Sequence, residues 1–130
     1  MLAADTNVVV RYLTRDDARQ TALAEKTLRT EQVLILNTVL LETEWVLRYS
    51  YGFDRKPIEA ALRGLAGLPQ IHFEDAEAVA LALDWFASGM DFADALHLAC
   101  SAGADGFATF GRRLAAAARR LDAVRVQLLG

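Results

Sequence analysis

Met1-Leu2-Ala3-Ala4-Asp5-Thr6-Asn7-Val8-Val9-Val10-Arg11-Tyr12-Leu13 decides how the rest of the chain is read. A short apolar run stops at Asp5-Thr6-Asn7, and apolar character then resumes. A buried strand delivers a polar residue to the edge of a sheet in this way. In open α/β folds ligands sit outside the carboxyl ends of the strands, so Asp5 is well placed for chemistry. From these residues alone, Asp5 or Asn7 serves equally well as a cap for the next helix. Val8-Val9-Val10 is β-branched, which favours a strand, yet the polar break before it makes a short helix the better reading.

Outward from this stretch, strands and helices alternate. Residues 2–5 read as the first strand, and Asp16-Asp17 opens a helix to about Arg29, acidic at its start as the helix dipole prefers. Val33-Leu34-Ile35-Leu36 is fully apolar, the pattern of a parallel strand covered on both faces. Asn37-Thr38 begins a helix over Val39–Ser50, which Gly52 ends, and Asp54 with Lys56-Pro57 opens another to about Ala66. Ile71-His72-Phe73 is the third strand, followed by helices from Asp75 to Ala87 and over Asp91–Ala102. Phe107-Ala108-Thr109, Arg112–Arg120 and Val124–Leu128 complete the series as strand, helix and strand. The expected fold is a three-layer α/β/α sandwich with a mainly parallel sheet.

The 130 residues suit one domain, residues 1–130, with a real core. Hydrophobic residues form 54% and charged residues 24%, a composition that folds as a globule. No apolar run approaches the ~20 residues of a membrane span, and no export signal is visible at the N-terminus. A single cysteine, Cys100, excludes an internal disulfide and fits a reducing cytoplasm. With two histidines far from it, a zinc site is not expected. A net charge of −3 argues against a general nucleic-acid coat protein. It leaves room for an enzyme that grips an RNA backbone locally. All but two of the 14 basic residues are arginine, the better residue for bidentate phosphate contacts.

Three carboxylates stand out. Glu42 interrupts an apolar helix stripe between Val39 and Val46, with no basic residue one turn away. An unpaired carboxylate there carries a large desolvation cost unless it binds a metal. Glu44 has an ordinary explanation in Arg48 at i+4, a solvent-exposed pair. In the helix Asp91–Ala102, Asp91, Asp94, His97 and Ser101 share one stripe of an otherwise apolar surface. Asp91 reads as the N-cap, and Asp94 is better used as a ligand. His97 reads as a core or rim histidine, Cys100 as a small buried hydrophobe, and Trp45 and Trp85 as core or interface anchors.

Carboxylates converging at strand ends repel unless a hard cation neutralises them, and Mg²⁺ or Mn²⁺ suits such oxygen ligands. Its waters supply a nucleophile, so the expected chemistry is phosphodiester hydrolysis. No glycine-rich phosphate loop is present. Arg112 and Arg113, on the sheet edge of Asp5, are expected to hold an RNA backbone alongside Arg11 or Arg15.

Asp5-Thr6-Asn7, Leu41-Glu42-Thr43-Glu44-Trp45-Val46-Leu47, Asp91-Phe92-Ala93-Asp94-Ala95-Leu96-His97-Leu98-Ala99 and Ala108-Thr109-Phe110 follow one another in that order. Together they resemble the PIN-domain ribonucleases, specifically the VapC-type toxins of bacterial toxin–antitoxin pairs. The resemblance implies a parallel sheet of four or five strands, Mg²⁺-dependent RNA cleavage, a homodimer and a small cognate antitoxin. It puts the family's first three acids on Asp5, Glu42 and Asp94, with Asn7 and Thr109 in support. A fourth acid usually follows the Thr-Phe pair; here the position is Gly111.

A phosphoaspartyl phosphatase would need a second acid where the chain has Asn7, and a receiver domain lacks its paired acid similarly. The stronger competitor is a degenerate PIN fold that binds RNA or a partner without cutting, which Gly111 favours.

Overall fold

Residues 1–121 and 125–130 are described by the computed structural model. They divide into two compact units, residues 1–76 and 77–130.

In the first unit, β1 (Leu2–Ala3), β2 (Val33–Ile35) and β3 (Ile71–Phe73) form a parallel sheet in the order β1-β2-β3. Leu2 and Ala3 face Val33 and Leu34; Val33, Leu34 and Ile35 face Ile71, His72 and Phe73. Parallel strands cannot be joined by a tight turn, so helices make the crossovers. α1 (Thr6–Thr14) and α2 (Ala18–Thr30) lead from β1 to β2; α3 (Asn37–Tyr49) and α4 (Arg55–Ala66) lead from β2 to β3.

Central β2 is the sheet's most buried strand, with Val33 and Ile35 fully inaccessible. Around it lie Val9 and Val10 of α1, Leu28 of α2, Leu40 and Leu47 of α3, and Ile58, Leu62 and Leu65 of α4, all buried. The α4 trio recurs at helical spacing, which puts it on one face. Each such side chain contributes roughly 1.5–3 kcal/mol by leaving water. α1 packs on α2 and α3, and α3 packs on α4. Between α3 and α4 the chain turns at Gly52 with φ of +69°, a conformation that glycine adopts without strain.

The second unit contains α5 (Ala76–Ala87), which starts at the boundary, α6 (Phe92–Cys100), β4 (Phe107–Thr109), α7 (Arg112–Arg120) and β5 (Val126–Leu128). β4 and β5 pair in parallel, Phe107 to Val126 and Thr109 to Leu128, with α7 packed on both strands. Phe86 of α5 meets Phe92 of α6 edge to face at 5.6 Å.

The α/β class and its parallel pairing agree with the sequence reading, and every expected helix is present. The single sheet of four or five strands does not. The described strands form one sheet of three and another of two, so no sandwich around a single sheet is seen. The reason lies in strand length. Strands of two or three residues have backbone groups for only a few rungs; those of β1 bond β2 and those of β4 bond β5. Of the expected terminal strand, Val126–Leu128 forms, and Val124 lies outside the described residues.

Candidate active site

Asp5 follows the two-residue β1 after a single intervening residue, Ala4, so the strand stops two residues short of the end that the sequence suggested, and Asp5 occupies the N-cap position of α1. Its carbonyl accepts the Val8 N–H at 3.0 Å and the Val9 N–H at 3.4 Å. Its carboxylate caps nothing. Asp17 and Asp91 show what a working cap looks like: each accepts a backbone N–H three residues on, at 2.8 and 3.2 Å. Asp5 therefore has the position of a cap without the work of one. Asn7, two residues on, is exposed on α1.

α3 reverses the expected roles of its two glutamates. Leu40, Thr43, Glu44 and Leu47 face inward, and this rotation carries Glu42 to the surface. Glu44, expected as half of an exposed pair, is only 2% exposed. Arg48 grips it with two bonds, Nε–Oε2 at 2.8 Å and Nη2–Oε1 at 3.2 Å. The desolvation argument applied to Glu42 belongs to Glu44, whose fork-to-fork partner offsets that cost. Glu42 has no hydrogen bond or ion pair among the described residues. Since α1 packs on α3, Asp5 and Glu42 lie on neighbouring elements of the first unit.

Asp94 sits in the first turn of α6, where its N–H donates to Asp91 Oδ2. Partial burial pushes the Asp94 carboxyl above its ordinary value; the Asp91 charge adds to this, and His97 opposes it. Asp91 is the N-cap that the sequence suggested, and it fixes the turn that carries Asp94. His97 is exposed. Cys100 is exposed at the end of α6, not buried, because the helix turns its last residue outward.

Thr109 ends β4, and its hydroxyl accepts the Gly111 N–H at 2.9 Å. Gly111 is the N-cap of α7 and offers no side chain to its N–H groups. A Cβ added there would lie 3.2 Å from Thr109 Oγ1 and 3.6 Å from Leu114 Cβ. Any side chain at this position thus starts beside the Thr109 hydroxyl. Arg112 and Arg113 follow, both exposed and without an ion pair among the described residues.

Arg11 and Arg15 are differently placed. Arg11 gives Nε to Gln20 at 2.6 Å, and Nη1 to Tyr51 at 3.0 Å and Asp16 at 3.2 Å. Tyr51 in turn donates to Asp16 at 2.6 Å, and Thr14 donates to it at 3.0 Å. The Tyr51 hydroxyl is the main reason that the Asp16 carboxyl lies below its usual value. Arg15 bonds Glu25 at 3.0 Å. These two arginines already have anionic partners, in contrast to Arg112 and Arg113.

Two contributors escaped the sequence reading. Glu74, just beyond β3, accepts the Asn37 N–H at 2.8 Å and so caps α3, the helix of Glu42, in place of Leu36. Its signal was the one that flagged Asp5: a carboxylate ending an apolar run, here Ile71-His72-Phe73-Glu74. Tyr51 left no such signal, because its partners are distant in sequence.

The donors nominated for a metal are all carboxylate oxygens, the chemistry that Mg²⁺ and Mn²⁺ take. Asp5 and Glu42 belong to the first unit and Asp94 to the second. Among the described residues, no group of three or more His, Cys, Asp or Glu is assembled to hold an ion.

Compared with protein-family models, residues 3–120 match the PIN domain. The chain belongs to the PIN domain family. PIN domains are generally nucleases, hydrolases of nucleic acid that typically use divalent metal ions. No curated protein matches the chain.

Proposed function

We propose that this PIN domain is a Mg²⁺- or Mn²⁺-dependent endoribonuclease, with Asp5, Glu42 and Asp94 as its catalytic and metal-holding acids. The observation that carries the reading is that Asp5, two residues beyond the end of β1, stands in a cap position and caps nothing. Glu42 supports it, as an exposed carboxylate beside a Glu44 that has the structural role. In this reading both units contribute to one PIN-like domain, residues 1–130. When bound, the ion supplies an activated water and stabilises charge on the phosphate. The chain's own residues do the positioning. Asp91 holds the turn of Asp94, Asn7 and Thr109 support the acids, and Arg112 and Arg113 take the RNA phosphates. Arg11 and Arg15 contribute less, since Asp16 and Glu25 already hold them.

The resemblance to VapC-type toxins extends the proposal to the toxin of a toxin–antitoxin pair, a cytoplasmic homodimer silenced by a small antitoxin. Among the described residues no helix is long and apolar enough to cross a membrane. A cleft of about 380 Å³ between α1 and α2, lined by Asn7, Val8, Arg11, Leu23 and Thr27 among others, offers an apolar segment of such a partner a seat.

A second reading, a PIN fold that binds RNA or a partner without cutting, draws on Gly111 in place of the fourth acid. One experiment separates the two. Mixed RNAs are incubated with the protein in Mg²⁺, Mn²⁺ or EDTA, alongside Asp5→Asn. Cleavage by the wild type in either metal, abolished by EDTA and by Asp5→Asn, supports the nuclease. RNA binding with no cleavage in any condition favours the second reading.

A further inference from the structure

α7 carries four arginines and no carboxylate: Arg112, Arg113, Arg119 and Arg120, all exposed. At about 100° per residue they fall within roughly a third of the helix circumference, around the small, exposed Ala116. Leu114, Ala115, Ala117 and Ala118 fill the opposite face and are buried, and α7 packs on β4 and β5. The arginines make two rows, Arg112 with Arg119 and Arg113 with Arg120, each running about two turns, roughly 10 Å of helix.

Five arginines of the first unit are matched. Arg11 pairs with Asp16, Arg15 and Arg29 with Glu25, Arg48 with Glu44, and Arg63 with Glu59. The side chains of the four on α7 have no hydrogen bond or ion pair among the described residues, although the chain as a whole is negative, at −3. Arg112 and Arg113 also stand in the first turn, where the helix dipole disfavours cations. The dipole accommodates Arg119 and Arg120 in the last turn, but it does not require them to share a face with the first pair. Four like charges on one face repel one another, so the face gains from an anion brought from outside.

The surroundings of the arginines select that anion. A second copy of this chain would set the same four charges against themselves. A bilayer needs apolar residues beside the cations, and those of α7 are buried. A row of phosphates fits, since the arginine fork takes phosphate oxygens two at a time and no carboxylate of α7 opposes them.

We propose that the outer face of α7 is a track for a sugar–phosphate backbone, in which Arg119 and Arg120 hold phosphates about 10 Å beyond those held by Arg112 and Arg113. The proposal takes the identity of the polyanion, a nucleic acid, from the nuclease reading. It adds a distal contact that makes binding depend on substrate length. Such a contact positions the backbone and carries no base preference.

The test uses the full-length protein in EDTA, with labelled oligouridylate of about eight nucleotides as the probe, titrated over a series of NaCl concentrations. Arg119→Gln with Arg120→Gln should weaken binding about ten-fold at low salt and lower the slope of log affinity against log salt by about 1 to 1.5. The corresponding pair of lysine substitutions, which keeps the charge at the helix end, should restore most of that slope. Arg63→Gln, which removes an arginine already paired, should change neither quantity. A uridine dinucleotide, whose one phosphate reaches a single pair of arginines, should lose no more than about two-fold in the Gln pair. In Mg²⁺ the Gln pair should raise KM for long RNA more than it lowers kcat. Unchanged affinity and salt slope for the longer probe in the Gln pair, at unchanged melting temperature, overturn the track. Polyglutamate bound as tightly as the oligouridylate, with the same dependence on Arg119 and Arg120, also overturns it and assigns the face to an acidic protein. Arginine-dependent binding without any cleavage removes the nuclease reading and leaves the track standing. Normal cleavage with unchanged binding and KM in the Gln pair does the reverse.

Discussion

Two helix starts, α1 and α6, each place an aspartate at the N-cap, and they use it differently. Asp91 accepts the N–H of Asp94 and so builds the first turn of its helix. Asp5 has the same position at α1 and makes no such bond. The pair on α3 repeats the contrast: Glu44 is buried in the grip of Arg48, whereas two residues earlier Glu42 is exposed and unpaired among the described residues. An acid with a structural role explains its own presence. The proposed site is drawn from acids without one, Asp5 just beyond β1 and Glu42 on the exposed face of α3.

Breaking the contrast should have its largest effect on the unoccupied acids. Asp5→Asn and Glu42→Gln should each lower metal-dependent RNA cleavage by about 100-fold or more, a scale typical of removing a group that acts on the transition state. Calorimetry should find both variants as stable as the wild type, since neither side chain has a hydrogen bond or ion pair among the described residues. Full cleavage by both would end the assignment. Glu44→Gln should behave oppositely, cutting normally per folded molecule while losing about 1–2 kcal/mol of stability. That is less than a fully buried pair would lose, because Arg48 is partly exposed and stays hydrated.

The sequence carried the order and type of the elements well, because most segments have clear period and punctuation. Asp54 with Pro57 and Gly52 marked α4, and the apolar Val33–Leu36 run marked β2. Helix rotation was not legible. Glu42 and Glu44 differ by two positions, about 200° around a helix, and both sit among apolar neighbours on one side. Only tertiary packing of α3 on α1 and α4 decides which one turns inward. Sheet continuity was also hidden, since strands of two or three residues carry too little pattern to name their partners. Asp5 was legible as a position; that its carboxylate caps nothing needed coordinates.

Asp91→Ala sharpens the comparison from the other side. Losing a working N-cap should cost about 1 kcal/mol of stability. Cleavage should fall only modestly, through looser placement of Asp94, and Asp91→Asn should retain both. An equally large loss of cleavage in Asp91→Asn and Asp5→Asn would erase the distinction between committed and unoccupied acids.

Gly111→Asp tests the missing fourth acid with a smaller expected change. The backbone at Gly111, φ −76° and ψ 107°, accepts any residue. The new Cβ asks the Thr109 hydroxyl to give by a few tenths of an ångström. Stability should stay within about 0.5 kcal/mol, since Asp is as good an N-cap as Gly or better. Mn²⁺ affinity and cleavage rate should rise several-fold. If the variant folds and neither rises, the three-acid set is complete as it stands.

The smallest effect concerns the Arg11–Asp16–Tyr51 network. The folded state lowers the Asp16 pKa, chiefly through the Tyr51 hydroxyl. Its contribution is therefore present above the unfolded pKa and is lost as pH falls through the folded one. Tyr51→Phe should move the Asp16 titration upward, toward the ordinary value, and start the acid loss of stability at a higher pH. Carboxylate chemical shifts followed by NMR would read this, and an unmoved Asp16 would contradict it.

The most direct measurement is the cleavage rate of one single-stranded RNA by wild type, Asp5→Asn and Asp91→Asn, each in Mg²⁺ and in EDTA. The account predicts cleavage by wild type and Asp91→Asn in Mg²⁺ only, and none by Asp5→Asn at equal folded concentration. Metal-dependent cleavage by Asp5→Asn at the wild-type rate would contradict it.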